Sequence, residues 1–332
     1  MKLSWQIVRF VLKETFSIAY GNYSHRDALI VSLKKHNCVG YGECTAIDYY
    51  HVNLDDFVAD LQRVQSKIES QNAIHPKEFY AFLLQLNLPS FLRSALDCAY
   101  WDLYGKLESQ SFLELNSISL NQLPESSITI SVDAIDNQIK KIQQSEWAKF
   151  KVKCNHFDPD AILKLLQLDN EIALDSNGSF NQENCLWLQQ NELISKFTYL
   201  EQPMKTGSEN YSVLKANGFA NWMADEDCQD ILALPLLRQY YQSINIKLVK
   251  CGGLTPALEM IQHARTLGFK IMMGCMTEST VGISAGAVLA PLCDYADLDG
   301  ANLISNDIAK GNHIVNGKLH FSEKPGLGIE LI

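Results

Sequence analysis

Positive charge is in short supply in this chain. Against 38 acidic residues it carries 28 lysines and arginines, a formal net charge of −10 at pH 7. A surface of that sign repels phosphate backbones and anionic lipid, so neither a nucleic acid nor a membrane is expected as partner. No stretch approaches the ~18 consecutive apolar residues of a membrane span. The opening residues Met1 to Phe10 mix polar with apolar in the manner of a strand and lack the apolar core of a secretory signal. The nine cysteines (38, 44, 98, 154, 185, 228, 251, 275 and 293) are an odd, scattered set with no Cys-x-x-Cys pair. Reduced thiols in a cytoplasmic protein are the simplest account of them. What is present is ordinary globular material, 47% hydrophobic and 20% charged over 332 residues. That is enough for one large core with a smaller domain beside it, and it leaves a small molecule as the expected partner and a homo-oligomer open.

Residues 1–120 read as an α+β domain. Strands are predicted at Lys2–Leu12, Asp27–His36 and Val39–Cys44, with Thr15–Arg26 as a long loop, polar at its tip. Helical spacing follows from Leu54 to Gly105. Pro76 and Pro89 stand at helix starts and Gly105 at a helix end. From 121 to 319 the pattern alternates strand and helix, with strands at Ile128–Val132, Phe150–Cys154, Glu171–Asp175, Phe197–Glu201, Asn221–Asp225, Ser243–Val249, Phe269–Gly274 and Tyr295–Asp299. Eight strands in alternation with helices predict an α/β fold, a closed parallel barrel with its chemistry at the C-terminal strand ends. An open doubly wound sheet is the alternative, but no strand is followed by Gly-x-Gly-x-x-Gly. The tail, residues 320–332, is apolar and glycine-broken, and is expected to pack on the first domain.

Charged residues close successive strands in phase: Lys153, Asp175, Glu201, Asp225, Lys247, then the stretch around Cys275, then Asp297 and Asp299. Three buried carboxylates at one mouth repel one another unless neutralised. Oxygen-only ligands point to a hard divalent cation, Mg²⁺ rather than Zn²⁺, held by Asp175, Glu201 and Asp225. Lys151 and Lys153 lie two apart and share a strand face. Their mutual repulsion is expected to lower the pKa of at least one, toward that of a usable base. Lys247 follows the carboxylates, so the lysine groups flank any ligand of the metal, an arrangement suited to taking a proton from one face of a carbon and returning it from the other. Lys250 is a rival, although strand alternation turns it away from Lys247. Glu226 competes with Asp225.

The order Lys-x-Lys, LDSN, LEQP, MADED, NIK, CGG and a closing KPGLGIEL resembles the muconate lactonizing branch of the enolase superfamily over essentially the whole chain. The resemblance implies a (β/α)7β barrel with an N-terminal capping domain completed by the tail. It also implies a lysine base with Mg²⁺ stabilising an enediolate. Lys153 and Lys247 then correspond to the acid/base pair and Lys151 to an electrostatic helper. Thr129, Cys275, Met276 and Thr277 would line the pocket, with Glu278 as a supporting acid. Asp297-Leu298-Asp299 resembles the mark of dipeptide epimerases, where two carboxylates hold the substrate's α-ammonium while the metal holds its carboxylate. The implied reaction is 1,1-proton transfer on a dipeptide, L-Ala-L-Glu foremost, in cell-wall peptide recycling. Relatives acting on that dipeptide place an arginine where Gly21 stands here, so Arg26, His25 or Lys205 is expected to replace it. A cycloisomerase, an o-succinylbenzoate synthase and a barrel that binds without turnover are the competing readings.

Overall fold

A computed structural model describes residues 1–214 and 218–332. The chain opens with an antiparallel meander of β1 (Lys2–Ile18), β2 (Gly21–Lys35) and β3 (Cys38–Thr45). The central strand β2 is apolar on both faces. Leu29, Val31 and Leu33 pack with the capping helices, while Ala28 and Ile30 pack with Phe10, Leu12 and Ile304. The long loop expected over Thr15–Arg26 is instead strand. After a register shift between Val11 and Phe16 the pairing resumes, Phe16 with Tyr23, Ser17 with Asn22 and Ile18 with Gly21. Only Ala19 and Tyr20 are left to turn, with Gly21 at φ +153°. The polar residues that imitated a loop belong to the tip of this hairpin, whose Tyr20 reaches the barrel residues Asn177 and Glu226.

Three helices cover the meander: α1 (Leu54–Glu69), α2 (Pro76–Leu84) and α3 (Ser90–Glu108). α1 starts where the Asn53 side chain accepts the Asp55 N–H, and buries Phe57, Leu61, Val64 and Ile68 along one stripe. Pro76 does occupy the first turn of α2. Gly105, by contrast, lies inside α3, which continues for a further turn. A Cβ there would meet the Cα of Gly326 at 2.6 Å, so the glycine marks a close crossing and not a helix end. The tail is held at this crossing, where Asp102 Oδ1 accepts the Leu327 N–H and Lys106 Nζ donates to the carbonyl of Ile329.

After the short α4 (Phe112–Leu115) come the eight parallel strands: β4 (Ile128–Ile130), β5 (Lys149–Lys153), β6 (Glu171–Asp175), β7 (Leu200–Glu201), β8 (Trp222–Ala224), β9 (Ser243–Lys247), β10 (Lys270–Gly274) and β11 (Tyr295–Asp297). They pair in sequence order, the predicted barrel. The ring is closed by a bridge between Ser126 and Ala296 and by side chains rather than by a ladder. Ser127 N–H donates to the Ala296 carbonyl and Leu298 N–H to Ser126 Oγ. Six of the eight are shorter than predicted, among them β7 and β9. The shortening of β9 matters, because the chain turns helical at Leu248–Cys251 and strand alternation stops at Lys247. Among the described residues no helix is long and apolar enough to cross a membrane.

Candidate active site

A cavity lies at the C-terminal ends of the strands, roofed by the capping domain. Its barrel wall includes Thr129, Lys151, Lys153, Asp225, Lys247, Cys275, Met276, Thr277, Asp297 and Asp299; the roof supplies Phe16, Ile18, Tyr20, Tyr23, Arg26, Ile47, Tyr49 and Tyr50. Asp175 and Glu201 lie just behind that wall, completely buried. Strand register explains the grouping. Lys153, Asp175 and Glu201 are successive partners across β5, β6 and β7, so groups far apart in sequence emerge at one level. Lys151 faces the same interior as Lys153 because they are two residues apart on one strand.

Each lysine is met by carboxylate. Lys153 Nζ is 2.5 Å from Asp175 Oδ2. Lys151 Nζ donates to Asp297 and is 3.3 Å from Glu201 and 3.9 Å from Asp175. Lys247 Nζ is 2.8 Å from Asp225 Oδ2. The depression expected for at least one of the two adjacent lysines does not fall on Lys151. Burial alone would lower it, but Asp297, Glu201 and Asp175 outweigh burial and hold its ammonium well above the usual range. Lys247 follows the same pattern: burial lowers it, Asp225 wins, and the net direction is up. In both lysines the carboxylate counter-ions decide the direction.

Lys250, expected to face away, also reaches Asp225, at 2.6 Å from Oδ1 and 2.6 Å from its carbonyl. It does so from the helical turn after β9, behind the cavity wall. Burial raises Asp225, but the two lysines outweigh it and keep this carboxyl ionised well below its ordinary range. Glu201 is the opposite case. Burial pushes it up to about 8, with Lys151 opposing and Asp175 and Asp225 adding to the rise. Its Oε1 accepts from Asn245 Nδ2 at 2.7 Å, while its Oε2 has no hydrogen-bond partner, nor has Asn245 Oδ1.

This donor set bears on a metal. In the present side-chain arrangement no trio of acids among the described residues forms a cation cluster, because ammonium groups engage the oxygens. Yet Asp175, Glu201 and Asp225 end adjacent strands, are buried, supply only oxygen, and include a carboxylate oxygen with no hydrogen-bond partner. That chemistry fits a hard divalent cation.

On the far wall, the two acids of the Asp-x-Asp motif are not equivalent. Asp297 accepts from Ser127 Oγ at 2.7 Å and from Lys151, so it is already neutralised and not the open acid expected. Asp299 lies past the end of β11, where its Oδ2 accepts the Thr129 N–H at 2.7 Å. Burial and the neighbouring charge of Asp297 push it up to about 6, the position of a carboxyl that lacks a cation.

Of the arginine substitutes considered, Arg26 lines the cavity. Its guanidinium stands 4.3 Å from the Tyr23 ring centroid and donates to the Ala46 carbonyl, and its buried Nε has no partner. His25 is exposed beside Ser24, and Lys205 lines an outer hollow instead. Glu226 lines the cavity and accepts from Asn177 Nδ2 at 3.1 Å. Asp227 points elsewhere, bonded by Gln202, Gly207 and Tyr241. Glu278 is buried outside the cavity, accepting the Met276 N–H. Beside it Glu43 of β3 accepts from Ser279 and Gly282 at the start of the helix Thr280–Ala287, pinning capping domain to barrel.

Sequence reasoning missed Asn245, Asn177 and the tyrosines Tyr20, Tyr49 and Tyr50. Asn245 carried a signal, since it is two residues before Lys247 and must share its face. The tyrosines carried none, because a roof residue is identified only by where the roof sits.

The family model of enolase C-terminal domain-like proteins matches residues 134–332. An L-Ala-D/L-amino acid epimerase of Flavobacterium johnsoniae is 34% identical over the whole of both chains. One from Maribacter sp. is 33% identical over 100% of this chain and 99% of its own. Among solved structures, an enolase family member from Agrobacterium tumefaciens with homology to dipeptide epimerases, holding sodium and L-Ala-L-Glu, superposes with a TM-score of 0.86 at 28% identity, covering 98% of this chain and 99% of that one. The strand-end lysines and carboxylates, the roofed barrel and the full-length relatives agree: the chain belongs to the enolase superfamily, in its epimerase branch.

Proposed function

We propose that this protein is a Mg²⁺-dependent dipeptide epimerase that moves a proton at the α-carbon of the C-terminal residue, with L-Ala-L-Glu as leading substrate. One observation carries the reading. β5 and β9 stand four strands apart in a ring of eight, so Lys153 and Lys247 face each other across a single cavity. A planar carbon between them can lose a proton to one and gain it from the other.

Asp175, Glu201 and Asp225 would hold the cation, which when bound supplies positive charge beside the substrate's carboxylate and takes up carboxylate charge now spent on the lysines. Lys151 adds a fixed positive charge at the same place. Asp299, with Asp297 beside it, receives the dipeptide's α-ammonium; an incoming cation removes the penalty that burial imposes on Asp299. A cycloisomerase substrate without an ammonium leaves that penalty standing. The relatives named for L-Ala-containing dipeptides support the same assignment. For the side chain, Arg26 offers a buried cation with an unpartnered Nε amid Phe16, Ile18 and Tyr23. A side-chain carboxylate completes it.

The test is incubation with L-Ala-L-Glu and a panel of L-Ala-X dipeptides in D₂O with Mg²⁺. A one-dalton gain together with the second epimer is expected, lost with a chelator and restored by Mg²⁺. A chain that exchanges no α-hydrogen in any dipeptide refutes the proposal.

A further inference from the structure

We infer that Tyr20, at the tip of the capping hairpin, is a positioning residue for Lys153 and acts through Asn177. The inference rests on the two-lysine reading above. Several contacts meet at Asn177, which is buried and held at φ 43°, a left-handed conformation that asparagine adopts more readily than most residues. The Asn177 backbone N–H donates to Asp175 Oδ1 at 2.9 Å. Its side-chain Oδ1 accepts from Lys153 Nζ at 3.3 Å, and its Nδ2 donates to Glu226 Oε1 at 3.1 Å. Its carbonyl accepts from the Tyr20 hydroxyl at 2.8 Å, and that hydroxyl is also 3.1 Å from Glu226 Oε1.

Tyr20 therefore grips Asn177 at two points, directly at the carbonyl and indirectly through the Glu226 oxygen that the amide also holds. These contacts fix the amide plane, and the amide oxygen is the second acceptor of Lys153, at 3.3 Å beside Asp175 at 2.5 Å; Asn177 also orients that carboxylate through its backbone N–H. Tyr20 reaches in from a two-residue turn, 40% exposed, with its ring stacked on Tyr49 at 4.5 Å. The grip exists only while the hairpin is seated on the barrel. Lys153 and Lys247 each bond a barrel carboxylate, Asp175 and Asp225, but among the described residues only Lys153 also bonds a residue that the hairpin grips. Seating of the roof is thus communicated to one of the two lysines. That gives the capping domain a part in aligning the base as well as in excluding water.

Tyr20→Phe tests this, because it keeps the ring and the stack and deletes the hydroxyl. Exchange of the α-hydrogen with D₂O is measured separately from each epimer of the best dipeptide, and Lys153→Ala identifies the epimer whose hydrogen faces Lys153. Tyr20→Phe should slow exchange of that epimer about tenfold, the scale of a modest misplacement of a reacting group, and leave the other within about twofold. Equal slowing of both epimers, as from a loosened roof, overturns the inference, and so does no slowing of either. A wild-type chain that exchanges no dipeptide overturns the two-lysine reading itself, a result distinct from these.

Discussion

Lys247→Ala separates chemistry from stability at this site. Removing one side of a two-base exchange takes away the contribution of a positioned acid or base, typically about 10²–10⁴ in rate. A loss of about 10³ corresponds to about 4 kcal/mol at 1.36 kcal/mol per tenfold. Deleting half of a buried ion pair ordinarily also costs about 3–5 kcal/mol of stability, because the other charge is left uncompensated. Here it is not, since Asp225 keeps Lys250 at 2.6 Å. The structure therefore predicts an inactive chain that stays folded, within about 1–2 kcal/mol of wild type, the ordinary range for losing buried packing. Urea unfolding gives the second quantity. α-Hydrogen exchange gives the first: epimerisation should vanish while one epimer still exchanges at the Lys153 face. Lys153→Ala should leave the opposite epimer exchanging. Full epimerisation by either variant refutes the two-base assignment, and a Lys247→Ala chain that unfolds refutes the account of Asp225.

Arg26→Met should reduce kcat/KM for L-Ala-L-Glu by about 10-fold or more while preserving or raising it for L-Ala-L-Met, because it replaces the buried cation with an apolar chain; parallel changes for both substrates remove Arg26 from side-chain recognition. Glu43 is pushed by burial up to about 7, with the Ser279 and Gly282 hydrogen bonds opposing. The folded chain then keeps a proton that the unfolded chain releases near the ordinary glutamate pKa. This contribution, at most about 3 kcal/mol, is complete below that pKa and is lost as pH rises through about 7. Denaturation profiles from pH 4.5 to 8 should fall less steeply in Glu43→Gln, and an unchanged slope refutes the linkage. Gly105→Ala drives a methyl into the Gly326 backbone at 2.6 Å, an overpacking expected to cost about 1–3 kcal/mol; a wild-type melting temperature would mean that the crossing has slack.

Much of this arrangement was legible in the sequence because strand ends keep phase with the barrel repeat. Lys153, Asp175, Glu201, Asp225 and Lys247 needed only that rule. What was not legible depends on where elements stop and what faces them. Lys250 does lie behind the wall that Lys247 lines, but its bond to Asp225 was not foreseen, because alternation was carried past Lys247 into residues that form a helical turn. The lysine pair was expected to lower the pKa of at least one member on the strength of sequence neighbours, whereas the spatial neighbours of Lys151 are Asp297, Glu201 and Asp175. Gly105 reads as a stop until the tail, more than two hundred residues later, crosses it. Asn177 and Tyr20 are joined by a roof whose position no local pattern encodes.

The acids assigned to hold the substrate's ammonium also stitch the barrel shut. β4 and β11 share no ladder; Asp299 takes the Thr129 N–H and Asp297 takes Ser127 Oγ. Recognition and closure therefore draw on the same two side chains. A descendant that exchanges either acid to accept a different ligand must mend that seam in the same step. Under the proposed function, selectivity can drift cheaply at the roof, around Arg26 and Tyr23, but at the Asp-x-Asp wall it is tied to the integrity of the ring, so the accepted side chain is freer to vary than the requirement for an α-ammonium.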